Sequence, residues 1–299
     1  MRLSLHSLSM SEELSNMHLS KAEFQEYGYR LVDWLAEYFE NVDEYQVLPS
    51  IEPGDIREML PDSAPEEAES MEEIIADLDR VVMPGMAHWQ HPGWYAFFPS
   101  GVSPVSALGE FVAAGLATQG MMWSTAPSAT EIENTVLDWL VELLGLPSSW
   151  RIDKGPGGGV IQMSASDSTH LSLAVARHQW ELSGIDANLL VAYGSSQAHS
   201  SIEKGARVAG YRHIRSVPVT QSFGMDADSL AEMIKHDIDS GLVPAWICSA
   251  VGTTNTTAMD PIRSIAAIAK QNRMWHHADA AYAGSAMICP EFRELLDGV

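Results

Sequence analysis

Strand-like and helix-like segments alternate between about residues 157 and 279, and this alternation constrains the fold more than any other feature. The apolar runs are short, as in buried strands, and the segments between them have apolar residues at three- and four-residue spacing. Strands are predicted at Val160–Met163, Leu189–Tyr193, Ile214–Val219, Ala245–Val251 and Met274–Asp279, with helices at Leu171–Trp180, Ser200–Ala209, Asp228–Ile238 and Ile262–Lys270. The pattern predicts an α/β fold with a mostly parallel sheet flanked by helices. Ligands of such sheets bind at the carboxyl ends of the strands.

Residues 19–100 have a different, helical pattern. Ser20 is predicted to cap a helix that contains Phe24, Tyr27, Leu31, Trp34, Leu35 and Tyr38, and a second helix contains Met71, Ile74, Ile75, Leu78 and Val82. This section would expose an apolar stripe if it stood alone, and such an arm usually packs on another subunit or on the main domain. The sequence therefore predicts a disordered leader (1–18), an N-terminal helical arm with a pocket segment (19–100) and a large α/β domain (101–299).

Composition narrows the class of partner and the compartment. Lys and Arg total 17 and Asp and Glu total 40, which gives a formal charge of −23. A surface this acidic repels nucleic acid and anionic lipid. Cys248 and Cys289 belong to no CxxC pair, which excludes zinc ribbons and disulfide scaffolds, and a reducing, cytoplasmic location fits best. The most apolar stretch, 102–123, contains a proline and a glutamate, and is predicted to be a buried helix rather than a membrane span.

The first predicted strand end suits a phosphate group. Ser164, Ala165 and Ser166 are small residues at a strand-to-helix turn, where backbone N–H groups and the helix dipole attract an anion. No GxxxxGK[ST] segment is present, so a P-loop is excluded. An ordinary helix N-cap remains the alternative interpretation.

Three further strand ends carry polar side chains. His199 follows the second strand, where an imidazole can stack on a flat ring, although a surface histidine is the alternative. Thr254 lies in the hydroxyl-rich segment 252–257 after the fourth strand. Asp279 closes the fifth strand beside alanines, and a carboxylate buried there needs a cationic partner, although an aspartate that serves nearby backbone is the alternative.

Metal binding is not expected at either histidine pair. His276 and His277 are adjacent in a strand and point to opposite faces, so they cannot chelate one ion together with Asp279. His88 and His91 lack a third ligand at the usual spacing. A phosphate nest, a stacking imidazole, a hydroxyl cluster and an aspartate for a basic ring nitrogen together describe a site for pyridoxal 5′-phosphate (PLP).

Several motifs resemble the group II PLP-dependent decarboxylases, and most closely the aromatic-L-amino-acid decarboxylases. The matching segments are His276–Ala286, in which Ala278 stands where the family usually has Val, Pro290–Arg293, Gln197–Ser201 with Glu203 and Lys204, His88–Pro92 with Phe97–Pro99, Thr130–Glu133 with Asp138–Leu140, and Met83–Gly85. The resemblance extends from about residue 19 to 299. It implies a fold-type I PLP-dependent transferase-like fold and a homodimer whose helical arm packs on the partner subunit.

The resemblance also implies roles for individual residues. Ala165 and Ser166 hold the cofactor phosphate, Thr254 and Ala281 line the cofactor, and the substrate pocket includes Trp89, Phe98, Ser100 and Met121. As catalytic residues, His199 stacks on the pyridine ring and Asp279 keeps the ring nitrogen protonated. Some relatives have an aromatic residue at the position of Met121, so the resemblance leaves the preferred substrate open.

The activity implied is decarboxylation of an aromatic L-amino acid, such as dopa, 5-hydroxytryptophan, tryptophan, tyrosine or phenylalanine, to the amine. The family attaches PLP to a lysine in an Asn-Pro-His-Lys segment beyond the position of Val299, and the five lysines of this chain do not match it. We therefore expect the chain to be a fragment of a complete decarboxylase that lacks the C-terminal domain. The alternatives are an inactive, truncated PLP-binding remnant, an aromatic aldehyde synthase of the same family, or another fold-type I class such as an aminotransferase or desulfurase.

Overall fold

The computed structural model describes residues 19–97 and 101–299. The chain divides into two compact units, Met1–Leu116 and Ala117–Val299. The division falls at Leu116, whereas the sequence predicts the arm to end near residue 100. The predicted leader, residues 1–18, lies outside the described residues.

The first unit is helical. Its α-helices are α1 (Lys21–Glu40), α2 (Asp55–Glu58), α3 (Met71–Asp77, continued by a π-helical turn over Leu78–Val82) and α4 (Pro104–Gly115). Ser20 begins α1 with a capping box, because its hydroxyl accepts from the Glu23 N–H while the Glu23 carboxylate accepts from the Ser20 N–H. The two predicted arm helices are thus confirmed.

The apolar stretch 102–123 forms a helix, α4, but the prediction that it is buried is wrong. No residue of α4 is buried, and Val105 is 79% exposed. An apolar composition predicts that a helix packs against other apolar residues, but within the first unit most of the apolar surface of α4 is exposed. Only part of it is covered, where Phe111 stacks on Phe24 of α1 with ring centroids 6.3 Å apart. Across the described residues, no helix is both long and apolar enough to cross a membrane.

The second unit is an α/β layer structure. Its helices are α5 (Pro127–Leu143), α6 (Ala165–Leu182), α7 (Ser201–Val208), α8 (Ala227–Asp239) and α9 (Ile262–Gln271), and its strands are β1 (Leu190–Ser195), β2 (His213–Val217), β3 (Val243–Ala250) and β4 (Trp275–Asp279). The strands pair in the order β2-β1-β3-β4, and every pair is parallel. The predicted mostly parallel sheet is confirmed.

Each face of the sheet packs against a different pair of helices. On one face, Trp246 of β3 packs with Leu173 of α6 and Ala206 of α7. On the other face, Ile247 packs with Leu230 of α8 and Ile265 of α9. Neighbouring residues of β3 alternate between these two cores, as period-two side-chain geometry requires. Both cores are built from fully buried side chains, so the sheet is covered on both sides.

The strand predicted at Val160–Met163 is wrong. These residues are not in a strand, and Val160, Ile161 and Met163 are exposed. The Ile161 N–H donates to the Glu133 carboxylate at 2.7 Å rather than to another strand. An apolar run becomes a strand only when a neighbouring strand satisfies its backbone groups, and no described residue does so here.

Candidate active site

The strand order places a crevice at the carboxyl ends of β1 and β3. After β1 the chain enters α7 on one face of the sheet, whereas after β3 it leads to α9 on the opposite face. The loops that follow these two neighbouring strands therefore diverge, which is the arrangement in which open α/β sheets bind ligands. The loop after β1 carries His199, and the loop after β3 carries Thr254.

The N-terminus of α6 lies level with Asp279 at the same end of the sheet. Thr169 of α6 contacts His277 of β4, with 3.4 Å between Oγ1 and Nε2. One turn later, Ser172 accepts from the Trp246 indole, and Trp246 pairs with Trp275 two residues before His277, so the helix runs antiparallel to the strands. Ala165 lies four helical residues before Thr169, a rise of about 6 Å along the helix axis. Asp279 lies two strand residues after His277, a similar distance along the strand. The first turn of α6 and Asp279 consequently share this edge.

The first turn of α6 keeps backbone donors available for an anion. The Ser164 hydroxyl caps the helix by accepting from the Asp167 N–H at 3.2 Å, and it donates to the Asp167 carboxylate at 2.9 Å. Ala165 and Ser166 are the first two helical residues, whose N–H groups have no partner within the helix. The turn is therefore an N-cap, as the alternative interpretation states, and it also retains two N–H groups for a phosphate.

Asp279 ends β4 half-buried, less enclosed than the sequence suggests. Its carboxylate accepts from the Ala281 N–H at 3.2 Å, and its carbonyl accepts from the Val251 N–H at 2.8 Å. Among the described residues, no lysine or arginine pairs with this carboxylate. A half-buried carboxylate without a cationic partner fits a protonated ring nitrogen.

His199 lies exposed in the loop after β1, and one of its ring nitrogens is engaged. Its Nδ1 accepts from the Ser201 N–H at 3.2 Å and lies 2.9 Å from the Ser201 hydroxyl. Since a backbone N–H can only donate, Nδ1 is the acceptor and the proton of the neutral ring is on Nε2. The loop thus fixes both the orientation and the tautomer of the imidazole.

The loop after β3 turns back on itself before α9. Thr253 is buried, its hydroxyl lies 2.7 Å from that of Thr256, and its N–H donates to the Ala258 carbonyl at 3.0 Å. Gly252 has φ +87°, and a Cβ added there would clash with the ring of Tyr282, so a side chain is excluded at this position. Thr254 is exposed at the outer end of this loop and Ala281 is exposed in the segment after β4.

Two half-buried histidines lie beneath this edge, and the sequence suggested no role for them. His277 faces α6, where it stacks on Trp246 and contacts Thr169, and burial lowers its pKa although Asp279 opposes this effect. His276 points to the opposite face, where Nε2 lies 2.7 Å from the Ser249 hydroxyl, and burial lowers its pKa to about 4. The expected divergence of the pair is confirmed, and both rings are held neutral near neutral pH.

The residues predicted for the substrate pocket are divided between the two units. Trp89 lies in the first unit, where it stacks on Trp94 with centroids 4.6 Å apart. Met121 lies in the second unit and is exposed. Phe98 and Ser100 lie outside the described residues. The membership of these four residues in a pocket stays a prediction.

The histidines considered as metal ligands, His88 and His91, and the lysine Lys204 have hydrogen-bond partners nearby. His88 is buried beside Tyr38, whose hydroxyl is 3.1 Å from Nδ1, and His91 accepts from the Gly93 N–H at 2.7 Å. Throughout 19–97 and 101–299, no three His, Cys, Asp or Glu side chains are grouped to hold a metal ion. Lys204 donates to the Ser200 hydroxyl at 3.2 Å. The attachment point of the cofactor stays a prediction from the resemblance.

The fold and this edge define a class of protein: an α/β enzyme of the PLP-dependent type. Residues 53–299 match the pyridoxal-dependent decarboxylase conserved domain. Because this match covers most of the chain, the chain belongs to the pyridoxal-dependent decarboxylase family, as the motifs predict.

Individual relatives agree with this assignment. The chain is 40% identical over 288 residues to phenylacetaldehyde synthase of Arabidopsis thaliana, which covers 94% of this chain and 58% of the relative. It is 42% identical over 287 residues to aromatic-L-amino-acid decarboxylase of Catharanthus roseus, and this alignment covers 94% of this chain and 57% of the relative. The crystal structure of Oryza sativa TDC with PLP and tryptamine superimposes with a TM-score of 0.90 at 38% identity, covering 94% of this chain and 59% of that one. This chain thus spans between half and two thirds of the length of these relatives.

The cofactor of this family is PLP, and the residues present fit it. The N–H groups of Ala165 and Ser166, which have no partner within the helix, suit the phosphate, and the carboxylate of Asp279, which has no lysine or arginine partner in the described part of the chain, suits the ring nitrogen. When bound, PLP supplies a protonated aromatic ring that accepts electrons from a bond broken at the substrate. The roles of the individual residues towards it stay predictions.

Proposed function

We propose that the protein carrying this chain is a PLP-dependent carboxy-lyase that converts an aromatic L-amino acid to the corresponding amine. The observation that carries the proposal is the placement of Asp279 level with the first turn of α6 at the carboxyl edge of the sheet. This spacing provides one group for a phosphate and another for a basic ring nitrogen. The names of the matched relatives, aromatic amino acid decarboxylases among them, support the reaction and the substrate class.

In this proposal each residue does a defined task. Asp279 keeps a proton on the ring nitrogen, because a half-buried carboxylate stabilises the adjacent positive charge. Ala165 and Ser166 hold the phosphate through backbone N–H groups, assisted by the helix dipole. His199 presents its ring face to the cofactor, with the tautomer fixed by Ser201. Thr254 and Ala281 line the space between the two strand ends.

The experiment is a product analysis on the protein that carries this chain. Purified protein is incubated with PLP and separately with L-tryptophan, L-tyrosine, L-phenylalanine, dopa and 5-hydroxytryptophan, and the amine and CO₂ are quantified. We expect CO₂ and amine in equal amounts from at least one of these substrates. Release of neither CO₂ nor amine from any of them, by protein that has bound PLP, contradicts the proposal.

A second candidate function is aromatic aldehyde synthesis. It is favoured by the similarity to phenylacetaldehyde synthase of Arabidopsis thaliana, whose 40% identity is within two percentage points of the 42% found for aromatic-L-amino-acid decarboxylase of Catharanthus roseus. The same incubations separate the two functions, because an aldehyde in place of the amine identifies the synthase outcome.

We also propose that the protein acts as a homodimer in a reducing compartment such as the cytoplasm. The support is the open apolar groove of about 710 Å³ in the first unit, lined by Leu31, Leu35, Leu108 and Phe111 among others. An apolar groove of this size favours a covered state. Cys248 is a buried free thiol and Cys289 an exposed one, which fits a compartment that does not form disulfides. Sedimentation equilibrium at micromolar concentration tests the dimer, and a monomer there contradicts it.

A further inference from the structure

A buried carboxylate stands at the base of the loop that carries Thr254. This loop comprises residues 251–259 and is called the threonine loop below. Asp260 follows it directly and is 5% exposed. Its Oδ1 accepts from the Met225 N–H at 2.7 Å, and its Oδ2 accepts from the Ala250 N–H at 2.8 Å. One side chain thus joins the end of β3 to the segment between β2 and α8.

Among the described residues, the hydrogen-bond donors to the Asp260 carboxylate are backbone N–H groups. Within the described part of the chain no cationic side chain pairs with it, and burial raises its pKa while the N–H groups of Ala250 and Met225 oppose that change. A buried carboxylate is costly unless it is fully hydrogen-bonded. Packing alone does not explain a carboxylate at this buried position, and the elements that its hydrogen bonds join indicate what it does.

The hydrogen bonds around Asp260 lead directly to both sides of the site. Ala250 also accepts from the Asp260 N–H at 3.0 Å and is the register partner of Asp279. The next residue, Val251, donates to the Asp279 carbonyl at 2.8 Å and forms an antiparallel bridge with Met259. The bridge closes the threonine loop at its base. Asp260 consequently fixes the point from which the loop and the strand end diverge.

We propose that Asp260 is a positioning residue for the cofactor site, which sets the spacing between Thr254 and Asp279. In this role it acts through its hydrogen bonds to the backbone of Ala250 and Met225, and is not itself assigned as a contact of the cofactor. The inference rests on the proposed function in one respect, because it takes Thr254 and Asp279 as the groups that contact PLP. A carboxylate suits this task since each of its two oxygens accepts from a different N–H group, whereas an amide has a single accepting oxygen and an apolar side chain has none.

Asp237 provides a matched control for a purely structural role. It is 1% exposed and likewise joins three elements, because it accepts from the Tyr193 hydroxyl at 2.7 Å and from the Arg215 guanidinium. It lies in α8, and its carboxylate bonds to β1 and β2 rather than to the threonine loop. Asp237→Asn therefore weakens a buried network of similar kind without touching the cofactor edge.

The test compares Asp260→Asn with Asp237→Asn in the protein that carries this chain. For each variant, the thermal midpoint and the Kd for PLP are measured, the latter by titrating the apoprotein at a temperature where it is folded. We expect both variants to lower the midpoint. Only Asp260→Asn should raise the Kd, by about tenfold or more, as loss of a supporting hydrogen bond does at other ligand sites. A Kd within about twofold of wild type in folded Asp260→Asn overturns the proposal.

A second variant covers the case in which Asp260→Asn does not fold. Gly224 packs against the base of the threonine loop, where an added Cβ would lie 2.6 Å from the Met259 carbonyl oxygen. Gly224→Ala should displace this base and weaken PLP binding by about tenfold. Unchanged binding contradicts the proposal. Wild-type protein that binds no PLP overturns the proposed function together with this inference, whereas normal wild-type binding with equal binding by the variants overturns this inference alone.

Discussion

The two units of the molecule differ in how far their apolar side chains are buried. In the sheet unit, Trp246 is 0% exposed and is enclosed by helices of the same unit. In the helical unit, no residue of α1 or α4 is buried, and Phe24 is 55% exposed. Burying a large apolar side chain contributes about 1.5–3 kcal/mol. The sheet unit therefore contains the cover for its own core, whereas the arm carries apolar surface that suits an external partner.

The largest effect that separates the two units is expected for the catalytic residues, which we propose to lie in the sheet unit. Asp279→Asn in the protein that carries this chain should lower the rate of CO₂ release by about a thousandfold, because the amide cannot hold a proton on the cofactor ring nitrogen. PLP absorbance after gel filtration should show that the cofactor is still bound. Asp226→Asn is the control, because the Asp226 carboxylate caps α8 by accepting from the N–H groups of Asp228 and Ser229. Turnover within about twofold of wild type in Asp279→Asn rules out the assigned role.

The next test breaks the sheet core itself. Trp246→Ala removes a fully buried indole and its hydrogen bond to Ser172, and should lower the free energy of unfolding by about 3–5 kcal/mol. Urea denaturation followed by circular dichroism measures this change. A loss below about 1 kcal/mol would show that the core is not the main source of stability in this unit.

Acid sensitivity distinguishes the two units through one histidine in each whose pKa is lowered by burial. His276 has a pKa lowered to about 4 by burial, against an ordinary value of 6.5. As the pH falls, His276 is protonated in the unfolded chain before it is protonated in the folded protein. The free energy of unfolding is therefore unaffected by His276 above pH 6.5, and it decreases by about 3 kcal/mol as the pH falls from 6.5 towards 4. The double variant Ser249→Ala/His276→Leu should remove this part of the pH dependence. Unfolding curves at intervals from pH 7 to 4 that keep the same slope in wild type and variant contradict the assignment.

The corresponding residue in the arm is His88, whose pKa burial also lowers. Because Tyr38 bonds to its ring, Tyr38→Phe with His88→Leu provides the matched double variant. It should alter the acid unfolding of the helical unit, followed by a probe placed in that unit, and leave the sheet unit unchanged.

The smallest effect on stability is expected on the exposed face of the arm. Phe24→Ser should change the free energy of unfolding by no more than about 0.5 kcal/mol, since the ring is more than half exposed and stacks on a Phe111 ring that is itself half exposed. It should nevertheless weaken self-association of the protein, measured by sedimentation. A large loss of stability with unchanged association would reverse the distinction drawn between the two units.

The elements that sequence patterns predicted well are those whose signal is local. The strands that became β1 to β4 are short apolar runs, and their helices have clear three- and four-residue spacing. The same reasoning placed His199, Thr254 and Asp279 at one sheet edge, because parallel strands share their carboxyl ends. Capping of α1 by Ser20 is equally local, since it depends on residues three apart.

The failures concern what covers or pairs with a segment. Val160–Met163 has the composition of a strand, but composition does not reveal whether a neighbouring strand exists. The stretch around α4 is apolar enough for a core, but the sequence does not tell which surface buries it. The contact between Thr169 and His277 joins residues 108 positions apart, and Asp260 reaches Met225 across 35 positions, so no local pattern could predict either.

The strand order has a consequence for how the chain folds as it is synthesised. β1 is made first but lies inside the sheet, between β2 and β3. The β1-α7-β2 unit, two parallel strands joined by a helix, can pair early, yet the second edge of β1 has no partner until Val243–Ala250 has been made. During that interval an apolar strand edge is open to other chains, which is a recognised cause of aggregation. The nascent chain should therefore depend most on chaperones while ribosomes translate the codons between β2 and β3.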